Sequence, residues 1–385
     1  MTRYTDAVND ALERLDDLGY ERGPEGFVTH GPMCAETLAT LGYGDRIPAW
    51  VRAYRNGIAH HAPPEPRLAI DANDATDWRS VLGDLDRAGD WEQLFRRELA
   101  AEPWRDVLVR WWPRLTPGLV AGLTHGVIRT AHAVRGLAAA PEPGPAQLTE
   151  LARGLAYWAA RYTPLPGHVR FRGQRGLARA MAALPRDELA ESGFRGGRGD
   201  VEDTGPLGTY PGYQEALRAL RPAETQLLLT EMTAEFAGVY LSHPEVFPIP
   251  LVHGITAPAA VRLVLPHLPA ELHAPTLAVL WQVQVVMLLD FTRDRRGEDT
   301  ATADADEYGA PGFAELTARA VEHGDDHVIK LAEACQREHA LRPDPRYAAA
   351  AYAAQQRIPR YGADFGAATV QAVRRHGPRY GAKST

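Results

Sequence analysis

The chain contains very little cysteine and no excess of basic charge. Only Cys34 and Cys335 occur among 385 residues, which excludes a disulfide framework and favours a reducing compartment. The formal net charge is −7, so no global basic field attracts nucleic acid or anionic lipid. The first residues lack the apolar run of a signal peptide. We therefore expect a cytoplasmic protein with neither nucleic acid nor a membrane as its partner.

Long hydrophobic runs and the rhythm of β-strands are also scarce. The most apolar stretch, 277–291, is too short to span a bilayer and is interrupted by Gln282, Gln284 and Asp290. Alternating β-branched sequence and βαβ order are absent, whereas helical periodicity dominates. These patterns predict an all-α protein with one large multi-helix domain over residues 1–385, in which 277–291 forms a buried central helix.

Proline and glycine punctuate the predicted helices, because Pro suits a first turn and Gly a stop. We predict a helix from Pro32 to the Gly42–Gly44 turn, one from Thr116–Pro117 to about Ala139, and one that begins at Thr256 and Pro258. Residues 163–212 are rich in Gly, Arg and Pro and predict a long insertion. Two interpretations of this insertion stay open, a lid over a site and a disordered surface segment.

The short motifs that mark many active sites are missing. There is no HExxH, P-loop, GxSxG or CxxC pair, and the glycines of GFRGGRG at 193–199 follow no predicted strand, so they are not a dinucleotide-binding motif. Any metal site must therefore gather its ligands from distant segments. Four segments place histidine in a setting that fits such a site.

The first of these segments is the helix that carries His125 and His132. The two histidines are seven positions apart, two helical turns, so they share one face. Arg129 and several glycines lie on that face, roughly opposite an aliphatic stripe. Glycine weakens an exposed helix, so the pattern indicates close packing or a polar cavity wall. A solvated face with incidental histidines is the alternative.

A second segment, DDHVIKLAEAC, carries His327 and Lys330 on one side of a helix. A lysine ammonium has no lone pair for a metal. If burial leaves the amine neutral, it can react with carbon dioxide to give a carbamate, an anionic oxygen ligand that hard divalent metals accept. From spacing alone, a surface lysine beside a histidine is the favoured interpretation.

His30 in FVTHGPM and His253 in PLVHGIT complete the set. Each stands before a predicted helix, with apolar residues on one side and glycine on the other. This pattern suits a buried junction between a loop and a helix. A single histidine in such a place is more often a satisfied core residue than a ligand.

Four segments in this order resemble the questin oxidase-like family, which includes fungal enzymes that oxidatively open anthraquinone-type rings. They are VTHGPMCAETLATLGYGDRIPAWVRAYR, LTHGVIRTAHAVRGL, LVHGITAPAAVRLVLPHL and DDHVIKLAEAC. The resemblance covers about residues 10–355. It implies an all-helical fold and a mononuclear iron held by four histidines and a carboxylated lysine. The implied metal ligands are His30, His125, His253, His327 and Lys330.

The resemblance also implies an oxidoreductase that uses Fe(II) and O2 on a small aromatic or polyketide-like intermediate of natural-product biosynthesis. The expected reaction is oxidative C–C cleavage or Baeyer–Villiger-type oxygen insertion. His132 and Arg129 are the expected catalytic residues, for proton transfer or for binding a phenolate. A zinc hydrolase on the same histidines and a metal-free helical binding protein are the alternatives. No NADPH-binding motif is visible, so the need for an external reductant stays open, as do the substrate and the oligomeric state.

Overall fold

The computed structural model describes residues 4–186 and 205–360, and these residues are mainly helical. Eighteen α-helices occur in the described ranges. A short antiparallel hairpin of Glu21–Arg22 and Phe27–Val28 supplies the only paired strands there. The helices are α1 Tyr4–Leu15, α2 Gly31–Thr40, α3 Ile47–Gly57, α4 Ala75–Ser80, α5 Ala88–Ala101, α6 Trp104–Leu115, α7 His125–Ala139, α8 Pro145–Ala160, α9 Leu177–Ala182, α10 Gly205–Thr209, α11 Pro211–Ala219, α12 Thr225–Ser242, α13 Pro248–Val264, α14 His273–Phe291, α15 Ala301–Glu307, α16 Phe313–His323, α17 Asp326–Leu341 and α18 Pro345–Arg357.

The all-α prediction is confirmed. Internal contacts divide the described residues into two compact units, each discontinuous in the sequence. The first unit comprises residues 4–164 and 260–276, and the second comprises 165–186, 205–259 and 277–360. The prediction of one domain over the whole chain stays a prediction.

The first unit has an aromatic core and closely packed helices. The ring of Trp111 meets Trp91 and Phe95 edge-on, with centroids 5.7 and 5.0 Å apart, an arrangement that aromatic quadrupoles favour. Helices α7 and α8 approach so closely that a Cβ on Gly126 would lie 2.7 Å from the Cα of Trp158. Glycine at this point lets the two backbones touch and places α7 deep in the unit.

The long helix predicted from Thr116 is interrupted. A short 3-10 turn covers Thr116–Gly118, and α7 begins only at His125. Between them, three successive residues adopt left-handed backbone angles, with φ of 52° at Gly122, 54° at Leu123 and 69° at Thr124. Residues with a Cβ rarely adopt this conformation, and a helix cannot pass through it. The predicted start was therefore wrong by about two and a half turns.

In the second unit, α13 contradicts the prediction that a helix begins at Thr256 and Pro258. The helix starts at Pro248, and Pro258 lies inside it. An interior proline lacks the N–H that would bond to the carbonyl four residues earlier, here that of Gly254. The side chain of Gln284 donates to this carbonyl at 3.2 Å instead. The freed acceptor is therefore satisfied, and the helix continues.

The two most apolar helical stretches exceed the length expected from the sequence. Residues 248–267 and 270–291 are each long and apolar enough, by length and composition, to cross a membrane. Within their most apolar windows, 83% and 67% of the residues are buried, which is typical of core helices. The argument that 277–291 is too short to span a bilayer was wrong, because the stretch begins seven residues earlier. Its predicted burial agrees with the structure.

The insertion predicted at 163–212 is ordered where the structure describes it. Helix α9 buries Leu177 and Met181, and the hydroxyl of Tyr213 donates to the carbonyl of Pro166 at 2.8 Å. For residues 165–186 and 205–212, the interpretation as a disordered surface segment was wrong. Residues 187–204 lie outside the described residues, and the lid function stays a prediction.

Candidate metal centre

In the first unit, two predicted ligands lie side by side. The Nε2 atoms of His30 and His125 are 2.6 Å apart, and their rings stack with centroids separated by 4.6 Å. Both residues are buried, at 3% and 6% exposure. His30 immediately precedes α2, and His125 is the first residue of α7. Two helix starts therefore bring two imidazole nitrogens to one point.

The ring of His125 is oriented by the left-handed turn before α7. Its Nδ1 forms a hydrogen bond with the carbonyl of Gly122, so that Nδ1 carries the proton when the ring is neutral. Nε2 then holds the lone pair that faces His30. The backbone N–H of His30 donates to the hydroxyl of the fully buried Tyr54 at 2.7 Å, which fixes the start of α2.

A glycine follows each of the three predicted ligands that stand in a His-Gly pair. A Cβ on Gly31 would lie 3.0 Å from the ring of Tyr54, and one on Gly126 would collide with Trp158. In the second unit, a Cβ on Gly254 would overlap the ring of Phe236 on α12. The glycines in these sequence segments therefore allow close packing directly beside each histidine.

In the second unit, the rings of His253 and His327 meet edge to face, with centroids 5.5 Å apart. His253 is 1% exposed and lies in the middle of α13. The prediction that it precedes a helix was wrong, because α13 continues through Pro258. His327 is the second residue of α17. The middle of α13 therefore meets the first turn of α17 at these two histidines.

Lys330 lies on α17, one turn after His327, and is 5% exposed. The interpretation as a surface lysine therefore does not hold. Burial disfavours the charged form of an amine, which is the condition that the predicted carbamate requires.

Two buried aspartates, Asp325 and Asp326, directly precede His327 at the start of α17. Asp325 caps the helix, and its Oδ1 accepts the N–H groups of His327 and Val328 at 2.9 and 3.1 Å. Asp326 places its Oδ1 2.9 Å from Nδ1 of His327. The ligand atoms of Asp325, Asp326 and His327 all lie within 4.8 Å of one another. Burial lowers the pKa of His327, but the negative charges of Asp326 and Asp325 beside the ring outweigh it and raise that pKa.

The donor groups in each unit suit a divalent transition metal. The first unit offers two buried imidazole nitrogens at one point. The second offers two adjacent imidazoles, a buried amine and two buried carboxylates. Imidazole suits iron, zinc and copper, and carboxylate-type oxygens suit harder ions. The residues therefore fit a metal of the kind that the sequence resemblance implies, and Asp325, Asp326 and His327 form a group in the second unit that could hold a metal ion.

His132 belongs to a buried cluster around Glu36. The carboxylate of Glu36 lies 2.6 Å from Nδ1 of His132, and it also accepts from Arg135 and from the hydroxyl of Tyr4. Burial alone would raise the pKa of Glu36, but Arg135 and His132 together lower it below its usual range. Burial and the Glu36 anion raise the pKa of Tyr4. The solvated-face interpretation of α7 is wrong, since His132 is 7% exposed.

Arg129 is also buried and already has a strong partner. Its Nε and Nη2 donate to the two carboxylate oxygens of Glu150 at 2.7 and 2.8 Å, a bidentate pair. Burial lowers the pKa of Arg129, but the Glu150 anion raises it above the ordinary value. Its Nη1 has no hydrogen-bond partner among residues 4–186 and 205–360. Arg129 thus holds α7 to α8 with two of its three nitrogens.

Sequence reasoning missed the anchoring roles of Glu36 and Asp326. Glu36 stands among apolar residues of α2, and nothing in its spacing points to His132. Asp325 caps α17, whereas Asp326 lies against the histidine ring. The adjacency of Asp326 and His327 in the sequence DDH was the one feature that could have pointed to this contact.

Comparisons of the chain with protein-family models and with curated proteins found no match. The resemblance to the questin oxidase-like family therefore stays a prediction.

Proposed function

We propose that the chain is a mononuclear non-haem iron oxygenase that acts on a small aromatic or polyketide-like molecule. Its Fe(II) would be held by His30, His125, His253, His327 and a carboxylated Lys330. One observation above all supports this ligand set. His30 and His125, 95 positions apart in the chain, present their Nε2 atoms to each other at 2.6 Å. The contact between His253 and His327 and the burial of Lys330 add to that support.

When bound, Fe(II) would supply one-electron chemistry toward O2, for C–C cleavage or oxygen insertion in the substrate. The protein's own part is to orient the imidazoles and to shield them from water. The Gly122 carbonyl holds the Nδ1 atom of His125, which leaves Nε2 of that ring as the ligand atom. A carboxylated Lys330 would add one negative charge to four neutral rings.

His132 is our candidate for proton transfer to or from the substrate, with Glu36 holding its Nδ1. A histidine is suited to this role because its pKa lies near neutrality. Arg129 would contact a phenolate only through Nη1, since Glu150 occupies its other nitrogens. The substrate would be a small molecule in the cytoplasm, and neither nucleic acid nor membrane is part of the proposal.

The test begins with protein purified without oxygen and analysed for iron and zinc. We expect about one iron per chain, and oxygen uptake when hydroquinones or reduced anthraquinones are added. Substitution of either histidine pair should remove the same single iron. Two irons, each removed by substitution of one pair only, would contradict one shared ligand set.

The alternatives give different results in the same experiment. About one zinc per chain without oxygen uptake would favour the hydrolase, because structural and catalytic zinc takes imidazole and carboxylate ligands as well. Protein that binds neither metal after anaerobic reconstitution would favour a helical binding protein. Oxygen uptake with and without NADPH decides whether an external reductant is needed.

A further inference from the structure

We infer that Glu36 is a positioning residue that holds His132 in a narrow cleft among α1, α2, α7 and α8, through which the imidazole exchanges protons with bulk water. The inference rests on the proposed function only in taking His132 as the proton-transfer residue. Glu36 and His132 are 3% and 7% exposed, and both line the cleft. Oε2 of Glu36 is hydrogen-bonded to Nδ1 of His132 at 2.6 Å.

The charge of Glu36 decides the direction of this hydrogen bond. Burial alone would raise the pKa of Glu36, but Arg135 and His132 hold that pKa below its usual range. The carboxylate is therefore ionised at neutral pH and can only accept. Nδ1 of His132 must then be the donor, and the neutral ring carries its lone pair on Nε2.

A second contact makes the opposite demand on the ring. Nη2 of Arg135 lies 3.4 Å from Nδ1 of His132, and a guanidinium can only donate. The same Nη2 lies 2.5 Å from Oε2 of Glu36, so its proton is directed to the carboxylate. The shorter contact between Glu36 and His132 therefore sets the tautomer.

Glu36 is itself fixed by donors from three helices. Its Oε1 accepts from the hydroxyls of Tyr4 on α1 and Thr40 on α2, at 2.5 and 2.8 Å. Arg135 on α7 donates to both carboxylate oxygens. A carboxylate held from three sides cannot turn away from His132, so the orientation of the imidazole is built into the fold.

The cleft beside the ring is narrow and partly open to solvent. Its apolar walls come from Val8, Leu12, Pro32 and Ala133. Gly136 also lines it, and a Cβ on this glycine would find nothing closer than 3.9 Å. The space suffices for about one water molecule. A passage of this width admits water but no aromatic ring, so it suits proton exchange and not substrate binding.

Two other polar side chains line the cleft, and neither competes for this role. Both oxygens of Glu150 accept from Arg129, and the amide of Gln147 does not titrate. A hydronium ion that arrives through the cleft would protonate Nε2 of His132 and leave water, while Nδ1 keeps its proton on Glu36. Solvent can in this way reset the imidazole after each proton transfer.

The first experiment needs neither metal nor substrate. Protein labelled with 15N-histidine is studied by long-range 1H–15N NMR at alkaline pH, and His132 is assigned by its loss in His132→Gln. We expect a protonated Nδ1 in the wild type and a mixture of tautomers in the double variant Glu36→Met with Arg135→Met, which removes both charges together. Arg135→Met alone keeps the carboxylate on Nδ1 and should keep the tautomer.

A wild-type ring protonated at Nε2 would overturn the inference, and so would an unchanged tautomer in the double variant. The wild-type result decides even if the double variant does not fold, because it needs no substitution at Glu36 or Arg135.

The second experiment tests the cleft. Exchange of the Nδ1 proton of His132 with water is measured by saturation transfer. A methyl group fills a space of this size, so Gly136→Ala should slow the exchange about tenfold or more, since water then reaches the ring only by local opening. Gly312→Ala is the matched control, because its Cβ would lie in open space. Equal exchange in both variants would overturn the inference.

These measurements separate the inference from the proposed function. If the protein neither binds iron nor consumes oxygen, the proposed function fails, while the tautomer and the exchange rate still decide the roles of Glu36 and the cleft. If iron binds and oxygen is consumed but the exchange does not depend on Gly136, only the inference fails.

Discussion

The Nε2 atoms of His30 and His125 lie 2.6 Å apart at the starts of two helices. At that separation the two nitrogens share one proton as a hydrogen bond. A metal at roughly 2.1 Å from each nitrogen would place neighbouring ligands about 3 Å apart, so a shift of a few tenths of an ångström converts the pair into two metal ligands. The proposed ligands of the first unit would therefore need only a small rearrangement to bind a metal.

Removing either member of this pair should therefore remove the metal. His30→Ala and His125→Ala are expected to lower the iron content from about one to less than about 0.2 per chain, because each deletes a ligand nitrogen. His168→Ala is the matched control, since His168 is exposed. The measurement is metal analysis of anaerobically prepared protein. Variants that retain full iron would show that the pair is a core contact only.

The close packing beside His253 predicts that one methyl group added at Gly254 destabilises the fold. Gly254→Ala should lower the free energy of unfolding by about 1–3 kcal/mol, because the new Cβ overlaps the ring of Phe236. Gly136→Ala is the control, since its Cβ would find nothing closer than 3.9 Å. Alanine there should be neutral or stabilising by about 0.5–1 kcal/mol. Urea unfolding measures both, and equal effects would refute the close approach of α12 and α13.

Local sequence patterns were sufficient for the helical class but not for where the helices break. The helical period of 3.6 dominates the sequence. The left-handed turn before His125 is not, because Leu123 and Thr124 carry no preference for that conformation. Pro258, in contrast, does carry a local preference, for the first turn of a helix, and it led to a wrong predicted start of α13. Its local rule is correct, but Gln284, far along the chain, supplies the missing donor.

The candidate site was harder to predict than the fold because its ligands come from distant segments. Spacing paired His327 with Lys330 and His125 with His132, since those pairs share a helix face. It could not pair His30 with His125, which only tertiary packing brings together. Family resemblance supplied that pairing. Neither source pointed to Glu36, a buried anion that holds His132 across two helices.

The role of Gln284 leads to a prediction for a double substitution. Gln284→Met should cost about 1–3 kcal/mol, because it leaves the carbonyls of Gly254 and Met232 without this donor. Pro258→Ala returns a backbone N–H to the helix, so it should stabilise the Gln284→Met protein more than it stabilises the wild type. Urea unfolding of the four proteins gives the interaction energy. Strictly additive effects would contradict the compensation.

His243 predicts how stability depends on pH. Burial lowers the pKa of His243, but hydrogen bonds to Glu298 and Glu245 outweigh it and raise that pKa. A raised pKa in the folded state adds stability that is complete below the unfolded value of about 6.5 and is lost as the pH rises through the folded value. Glu298, which Arg186 also contacts, has a lowered pKa. Its contribution to stability is therefore lost only at lower pH.

We therefore expect the free energy of unfolding of the wild type to exceed that of His243→Gln most at about pH 6. The difference should shrink as the pH rises toward about 9. Urea unfolding at several pH values measures it. A difference that is constant over this range would show that the imidazole contributes by packing and neutral hydrogen bonds, and that its charge contributes nothing.

Lys330 provides the most specific chemical prediction. Its amine is buried one turn after His327, and a neutral amine attacks the carbon of carbon dioxide, forms an N–C bond and releases a proton to give the carbamate. Protein equilibrated with 13C-bicarbonate and a diamagnetic metal should show one carbamate carbon by NMR, absent from Lys330→Ala.

Addition of acetate or propionate should restore part of the metal affinity of Lys330→Ala, because the free carboxylate replaces the missing oxygen ligand. Lys330→Arg is the control, since a guanidinium keeps the positive charge but forms no carbamate. Wild-type protein that binds iron but shows no 13C carbamate signal would eliminate Lys330 as a carboxylated ligand. The two histidine pairs would then be the remaining proposed ligands.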